Sequence, residues 1–245
     1  MQSHKLKDNA MSPRILKSAY RLVRHASRSL VRAAGYGLPE RSLNAYATHL
    51  PLLVGLARLY RVRRVLEFGC GTYSTLTFLN RAAFPDLVTL DSYENDQVWA
   101  ATIAEQTQGD PLLHLHTLNG PMHTAVSSLC FEDYDLVFID DSLLAEARAK
   151  TIALTAQYCK ATNLVLVHDY EVSDYQCAAQ AFQWRFLFNA YNPCVGLLSC
   201  GPLIDRRELD RLNNLVKLHA KHVAPEDVQF WLTLFDHYFI TGLRP

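Results

Sequence analysis

The stretch Arg64-Val65-Leu66-Glu67-Phe68-Gly69-Cys70-Gly71-Thr72-Tyr73-Ser74-Thr75-Leu76 decides how this chain is read. An apolar strand ends in an acidic residue, passes through a glycine-broken turn and enters the first turn of a helix. This places bare backbone at the carboxyl edge of a parallel strand, where open α/β sheets bind nucleoside ligands. Gly69 and Gly71 carry no Cβ, so unusual φ values are open to the turn and a ligand can lie against the main chain. Ser74 and Thr75 open the helix, whose unpaired N–H groups favour anionic or polar ligand atoms.

Two ligand classes compete for such a turn. A dinucleotide fingerprint, G-x-G-x-x-G, needs a third glycine for helix–strand packing; counted from Gly69, that position is Ser74. The segment Glu67-Phe68-Gly69-Cys70-Gly71 instead resembles motif I, D/E-x-G-x-G, of the class I S-adenosylmethionine (SAM)-dependent methyltransferases. An acidic residue two before the first glycine sits badly beside a pyrophosphate and well beside the ammonium of SAM. The run Leu87–Glu94 reads as the next strand, with Glu94 at its end, placed to accept both ribose hydroxyls. The resemblance thus implies SAM as cofactor, held by Glu67, Gly69, Gly71, Ser74 and Glu94, with Asp140 lining its methionine end.

Composition bounds the rest. The 245 residues are 49% hydrophobic and 20% charged with zero formal net charge, which fits one large domain, or a domain with an appendage, and ample material for a core. No apolar run approaches the roughly 18 residues of a membrane span, and no secretory signal is evident. The six cysteines show no Cys-x-x-Cys pair; neither zinc site nor disulfide framework follows, and they read as reduced residues of a cytoplasmic protein. Cys70 reads as packing.

Charge is uneven: residues 1–41 carry nine Lys/Arg against two acids, so the remainder is net acidic. Ile15, Ala19, Leu22, Val23, Ala26, Leu30 and Ala33 fall on one helical face, with Arg14, Lys17, Arg21, Arg24, Arg28 and Arg32 opposite. This basic amphipathic arm, residues 1–40, has three readings: packing on the catalytic domain, peripheral membrane contact through residues 14–34, or organelle targeting. Gly35–Pro39 is the candidate linker. The SAM-binding domain is expected over 41–201 and a helical extension over 202–245.

Leu43–Arg61 looks helical, and its His49–Leu53 part resembles the helix that precedes motif I in small methyltransferases and closes over the cofactor. Leu112–Leu118, Tyr134–Asp140 and Asn163–Asp169 read as strands, with a helix over Leu143–Cys159. Alternating strands and helices imply a parallel sheet covered on both faces. Arg185–Tyr191 and Cys194–Cys200, joined by Asn192-Pro193, read as a hairpin, so one strand runs antiparallel. A reversed last strand distinguishes the Rossmann-like, seven-stranded methyltransferase sheet from the dinucleotide-binding plan. Leu203–His222 and Pro225–Thr241 look like terminal helices, the second with an aromatic stripe suited to core packing or a homodimer contact.

Reactive groups gather at strand carboxyl ends, here Asp140-Asp141-Ser142 and His168-Asp169-Tyr170. His168 reads as a general base, since its ordinary pKa of about 6.5 is near working pH, with Asp169 orienting it. Asp140 and Asp169 could instead hold Mg²⁺. Ile139-Asp140-Asp141 followed by Val167-His168-Asp169-Tyr170 resembles small O-methyltransferases of sugars, phenols and polyketide glycosides, in which such a pair binds a divalent metal. The pattern departs from theirs at Ser142 and at Tyr170, which stands where a second metal ligand is expected. His114, His116, His123, His219, His222 and His237 show no metal spacing.

The function expected is methyl transfer from SAM to a hydroxyl, less readily an amine, of a small-molecule acceptor. A catalytically silent SAM-fold subunit is the first rival. A nucleic-acid methyltransferase using the basic arm ranks lower, because the catalytic region is acidic and lacks an Asn/Asp-Pro-Pro-aromatic signature after the fourth strand.

Overall fold

A computed structural model of the chain describes residues 43–201 and 205–240. The basic arm over 1–40, and with it the membrane and targeting readings, lies outside the described residues. In chain order the main elements are α1 (Leu50–Leu59), β1 (Arg64–Phe68), α2 (Ser74–Leu79), β2 (Thr89–Glu94), α3 (Gln97–Thr107), β3 (Leu113–Thr117), α4 (His123–Val126) and β4 (Leu136–Ile139). Then come α5 (Ala145–Tyr158), β5 (Leu164–His168), α6 (Ser173–Ala178), β6 (Trp184–Phe188), β7 (Val195–Ser199), α7 (Arg206–His219) and α8 (Val228–Ile240). No helix among the described residues is long and apolar enough to cross a membrane.

The strands form one seven-stranded sheet in the order β3-β2-β1-β4-β5-β7-β6. β1 pairs in parallel with β2 and β4, and β4 with β5. β7 runs antiparallel to both β5 and β6, the single reversal that the hairpin in the sequence requires. The central strands are buried on both faces: β4 (LVFI) and β5 (LVLVH) expose no residue, which explains their continuous apolar runs. Alternate residues feed two cores. Val65, Phe138, Leu166 and Leu197 join α1, α7 and α8, while Leu66, Val137, Ile139 and Val165 join the α4–α6 side.

The expected helix over Leu43–Arg61 is shortened to Leu50–Leu59, preceded by turns. Pro51 accounts for the difference. Lacking an N–H, it is accommodated in a first turn, where that donor would be unpaired anyway, and not deeper in a longer helix. The aromatic stripe of α8 serves the core, since Trp231 and Phe235 are fully buried beside α1. Arg58 ties the same region together, pairing with Asp236 at 2.6 Å and donating to the Ala82 and Ala83 carbonyls.

One expectation is overturned. Cys159 and Cys200, 41 positions apart in sequence, form a disulfide with Cα atoms 6.6 Å apart. Sequence spacing carries no connectivity; the link exists because α5 ends beside the residue that follows β7. Cys70 and Cys194 are free and buried, Cys130 and Cys177 free and exposed.

Candidate cofactor and acceptor site

The glycine turn lies where β1 meets β2 and β4, the point at which the order of connections reverses. Gly69 N–H donates to Tyr93 O at 2.8 Å, and Asp140 N–H to Phe68 O at 2.8 Å. Gly69 has φ +91°, and a Cβ there would sit 2.5 Å from Asp140 O and 2.6 Å from Asp141 Cα. Only glycine meets both demands. Gly71 needs no positive φ: its N–H donates to Thr75 Oγ1 at 3.0 Å, starting the short α2. Trp99 Nε1 closes the turn by donating to Cys70 O at 2.6 Å. Burial, then Glu67 and Glu94, push the Cys70 thiol far up, so it stays a neutral packing group.

Glu67 is fully buried. Its Oε2 accepts from Ser92 Oγ at 2.6 Å and Thr75 Oγ1 at 2.7 Å, and Oε1 has no hydrogen-bond partner among the described residues. Burial raises its pKa to about 7, against the pull of the Ser74, Ser92 and Thr75 hydroxyls. Ser74, itself 4% exposed, is therefore turned toward Glu67. The folded protein holds this proton where the unfolded chain releases it, so Glu67 costs stability progressively as pH rises from about 4.5 to about 7, and the loss is flat above that. Glu67→Gln should remove the loss. Relative to the variant, the wild type should be about 3 kcal/mol less stable at pH 8 than at pH 4.5. Urea unfolding of both proteins across this range checks it, and a pH-independent difference would contradict it.

Glu94 ends β2 and is buried. Its Oε1 accepts the Asn95 and Asp96 N–H groups, both at 2.7 Å, and its Oε2 lies 3.8 Å from Cys70 Sγ. The carboxylate is therefore fixed in direction beside the glycine turn.

The ends of β4 and β5 carry the second half of the site. Asp140 follows β4, with its side chain 25% exposed. His168 ends β5 and is 2% exposed. Its Nδ1 lies 3.3 Å from Asp140 Oδ2 and its Nε2 3.0 Å from Thr48 Oγ1. Asp169 takes a left-handed φ of 57°. Tyr170 turns away to pack on Gly196, where no Cβ could fit, and so is not at the site.

Sequence reading missed three residues here. Arg148, on α5, has a side chain only 3% exposed; it lies 2.7 Å from Asp140, 3.4 Å from Asp169 and 3.8 Å from Asp141. The periodicity of α5 contained the signal, because Arg148 shares its inward face with Thr151, Ile152 and Thr155, and an arginine on a buried face needs carboxylates. Thr48 and His49 precede α1. His49 is buried against Phe138 and edge-on to His168, ring centroids 4.7 and 4.9 Å away. Neither of its ring nitrogens has a hydrogen-bond partner among the described residues.

Burial alone would raise the Asp140 pKa, but Arg148 and then His168 outweigh it and hold the carboxyl well below the usual range. Burial would likewise lower His168, yet Asp140 beside it gives a net rise. Burial and the neighbouring His168 depress His49, which stays neutral. Burial raises Asp141 despite Arg148.

Donor atoms of Asp140, His168 and Asp169 lie within 4.8 Å of one another. As folded, this set does not fit Mg²⁺, which takes near-octahedral oxygen ligands at about 2.1 Å. Asp140 Oδ1 faces Arg148 and its Oδ2 faces His168, Asp169 Oδ2 faces Arg148, and His168 is engaged at both nitrogens.

The sheet order, the single reversed strand and the bare turn at the switch point define the class I SAM-dependent methyltransferase fold. A Staphylococcus aureus protein assigned as a caffeoyl-CoA O-methyltransferase superposes with a TM-score of 0.50 at 15% identity, over 76% of this chain and 98% of that one. Human methyltransferase-like protein 13, in complex with SAH, gives a TM-score of 0.50 at 15% identity, over 73% of this chain and 93% of that one. At such identity the likeness is one of fold. No protein-family model and no curated protein matches the sequence.

Proposed function

We propose that the protein transfers a methyl group from SAM to a hydroxyl of a small-molecule acceptor at the carboxyl edge of β1, β2 and β4. The observation that carries this reading is the gathering of Glu67, Glu94 and Asp140 at the glycine turn: Thr75 Oγ1 links Glu67 to the Gly71 N–H, Glu94 Oε2 lies 3.8 Å from Cys70 Sγ, and the backbone of Asp140 abuts Gly69. Three acids around bare backbone suit a cationic sulfonium ligand with an ammonium group and a ribose, and repel a pyrophosphate. Glu67 Oε1 supplies an unmet acceptor for the ammonium, directly or through water, and Glu94 serves the ribose hydroxyls. Gly69 and Gly71 leave room for the ligand, and Ser74 acts through Glu67.

SAM already carries an activated methyl, so the protein's own task is to align the acceptor and receive one proton. His168 is the group suited to that: Asp140 beside its Nδ1 raises the pKa of the imidazole and makes it the stronger base. Asp140 and Asp169, 3.3 and 3.9 Å from its Nδ1, position it. The Mg²⁺ expected from sequence has no part in this reading, and an amine acceptor is the less favoured alternative.

Calorimetry with SAM, SAH and NADH tests the cofactor. Glu94→Ala should weaken SAM binding by about 1.5–3 kcal/mol, the range for a hydrogen bond to a charged group. Binding of NADH without SAM would overturn the assignment. Radiolabelled SAM with a fractionated metabolite pool then identifies the acceptor, and the position of the label separates O- from N-methylation.

A further inference from the structure

We infer that Arg148 is the built-in cation of the β4–β5 strand ends, a positioning residue that occupies the place of a divalent metal and fixes Asp140 beside His168. One guanidinium reaches carboxylates from both strand ends. Nη2 lies 2.7 Å from Asp140 Oδ1, Nη1 3.4 Å from Asp169 Oδ2, and Nε 3.8 Å from Asp141 Oδ1. Nη1 also donates to the His168 carbonyl at 3.2 Å, and the guanidinium carbon stands 5.1 Å from the centre of the Tyr175 ring.

Charge and shape both favour arginine over a metal here. Three carboxylates face Arg148 and His168, so the ionised cluster already lies within one charge of neutrality. A divalent ion would have to displace the guanidinium from Asp140 and Asp169, leaving a buried arginine without partners, a costly state. Mg²⁺ would also have to give up water it sheds reluctantly. The planar fork of arginine spans several carboxylates at once, which the point charge of lysine does less well. Arg148 thus performs the holding task of a metal ion without offering an open coordination position. Its service to an acceptor rests on the methyltransferase reading; its occupancy of the cation position does not.

The test titrates Mn²⁺, a paramagnetic stand-in for Mg²⁺, into the full-length protein and counts bound ions by electron paramagnetic resonance. Wild type should bind no Mn²⁺ at this site up to millimolar concentration. Arg148→Met should gain one site at least 100-fold tighter, with a matching Mn²⁺-dependent rise in Tm. Asp140→Asn in that background should remove it, while Arg148→Lys should still exclude the ion. Stoichiometric Mn²⁺ binding by wild type that Asp140→Asn abolishes would overturn the proposal, and so would a folded Arg148→Met that gains no site. If Arg148→Met does not fold, the wild-type and Asp140→Asn titrations decide alone. SAM calorimetry on the same wild-type sample separates the two readings: absent SAM binding sinks the methyltransferase assignment and leaves the Mn²⁺ result standing.

Discussion

Gly69→Ala should destabilise the protein by about 3–4 kcal/mol and abolish SAM binding. Two costs combine at this position. The residue has φ +91°, which an L side chain rarely adopts, and its Cβ would lie 2.5 Å from the Asp140 carbonyl oxygen. That obstacle is backbone at the end of β4, whose neighbouring strands fix it on both sides, so nothing can rotate away. Two other glycines separate the costs. Gly109 has φ +70° with nothing within 4 Å of its would-be Cβ, so Gly109→Ala should cost only about 1 kcal/mol, the conformational part. Gly120 has open space and no positive φ, so Gly120→Ala should fall within about 0.5 kcal/mol of wild type. Urea unfolding of the three variants orders them. If Gly69→Ala is no worse than Gly109→Ala, the crowding of the turn is not what demands glycine.

That turn was legible in sequence because its chemistry is local. A glycine-broken connection between an apolar strand and a helix can be read from adjacent residues, as can β4 and β5, whose burial on both faces leaves unbroken apolar runs. Strand-end acids were legible for the same reason: a carboxylate that directly follows such a run stands at the sheet's edge. Relations between distant elements were not. The periodicity of α5 marks Arg148 as inward-facing, but which carboxylates it meets appears only when α5 is laid over the ends of β4 and β5. Thr48 reaches His168 across 120 residues, and Cys159 meets Cys200 across 41. His168 shows the consequence best. In sequence it reads as a base oriented by Asp169; in the fold Asp140, on the neighbouring strand end, lies closer, at 3.3 Å against 3.9 Å, and raises the imidazole's pKa.

This distinction makes Asp140→Asn the most decisive change for mechanism. Were Asp140 itself the base, the amide could not take the acceptor's proton and turnover would fall by about 10²–10⁴-fold at every pH, with SAM affinity followed separately by calorimetry. The substitution also acts on His168, because the Asp140 charge is what offsets burial and raises that imidazole. Without it, His168 titrates at lower pH and is neutral over more of the working range. With His168 as the base, Asp140→Asn should therefore supply more of the unprotonated form: activity on the acid side should hold or rise and the pH profile should shift downward. The two assignments predict opposite signs below about pH 7. His168→Ala completes the comparison. It removes the base while Arg148 still holds Asp140 at 2.7 Å, so its loss, about 10²–10⁴-fold, should exceed that of Asp140→Asn. A larger loss from Asp140→Asn, with His168→Ala nearly silent, would move the proton to the carboxylate and make His168 the group that positions it.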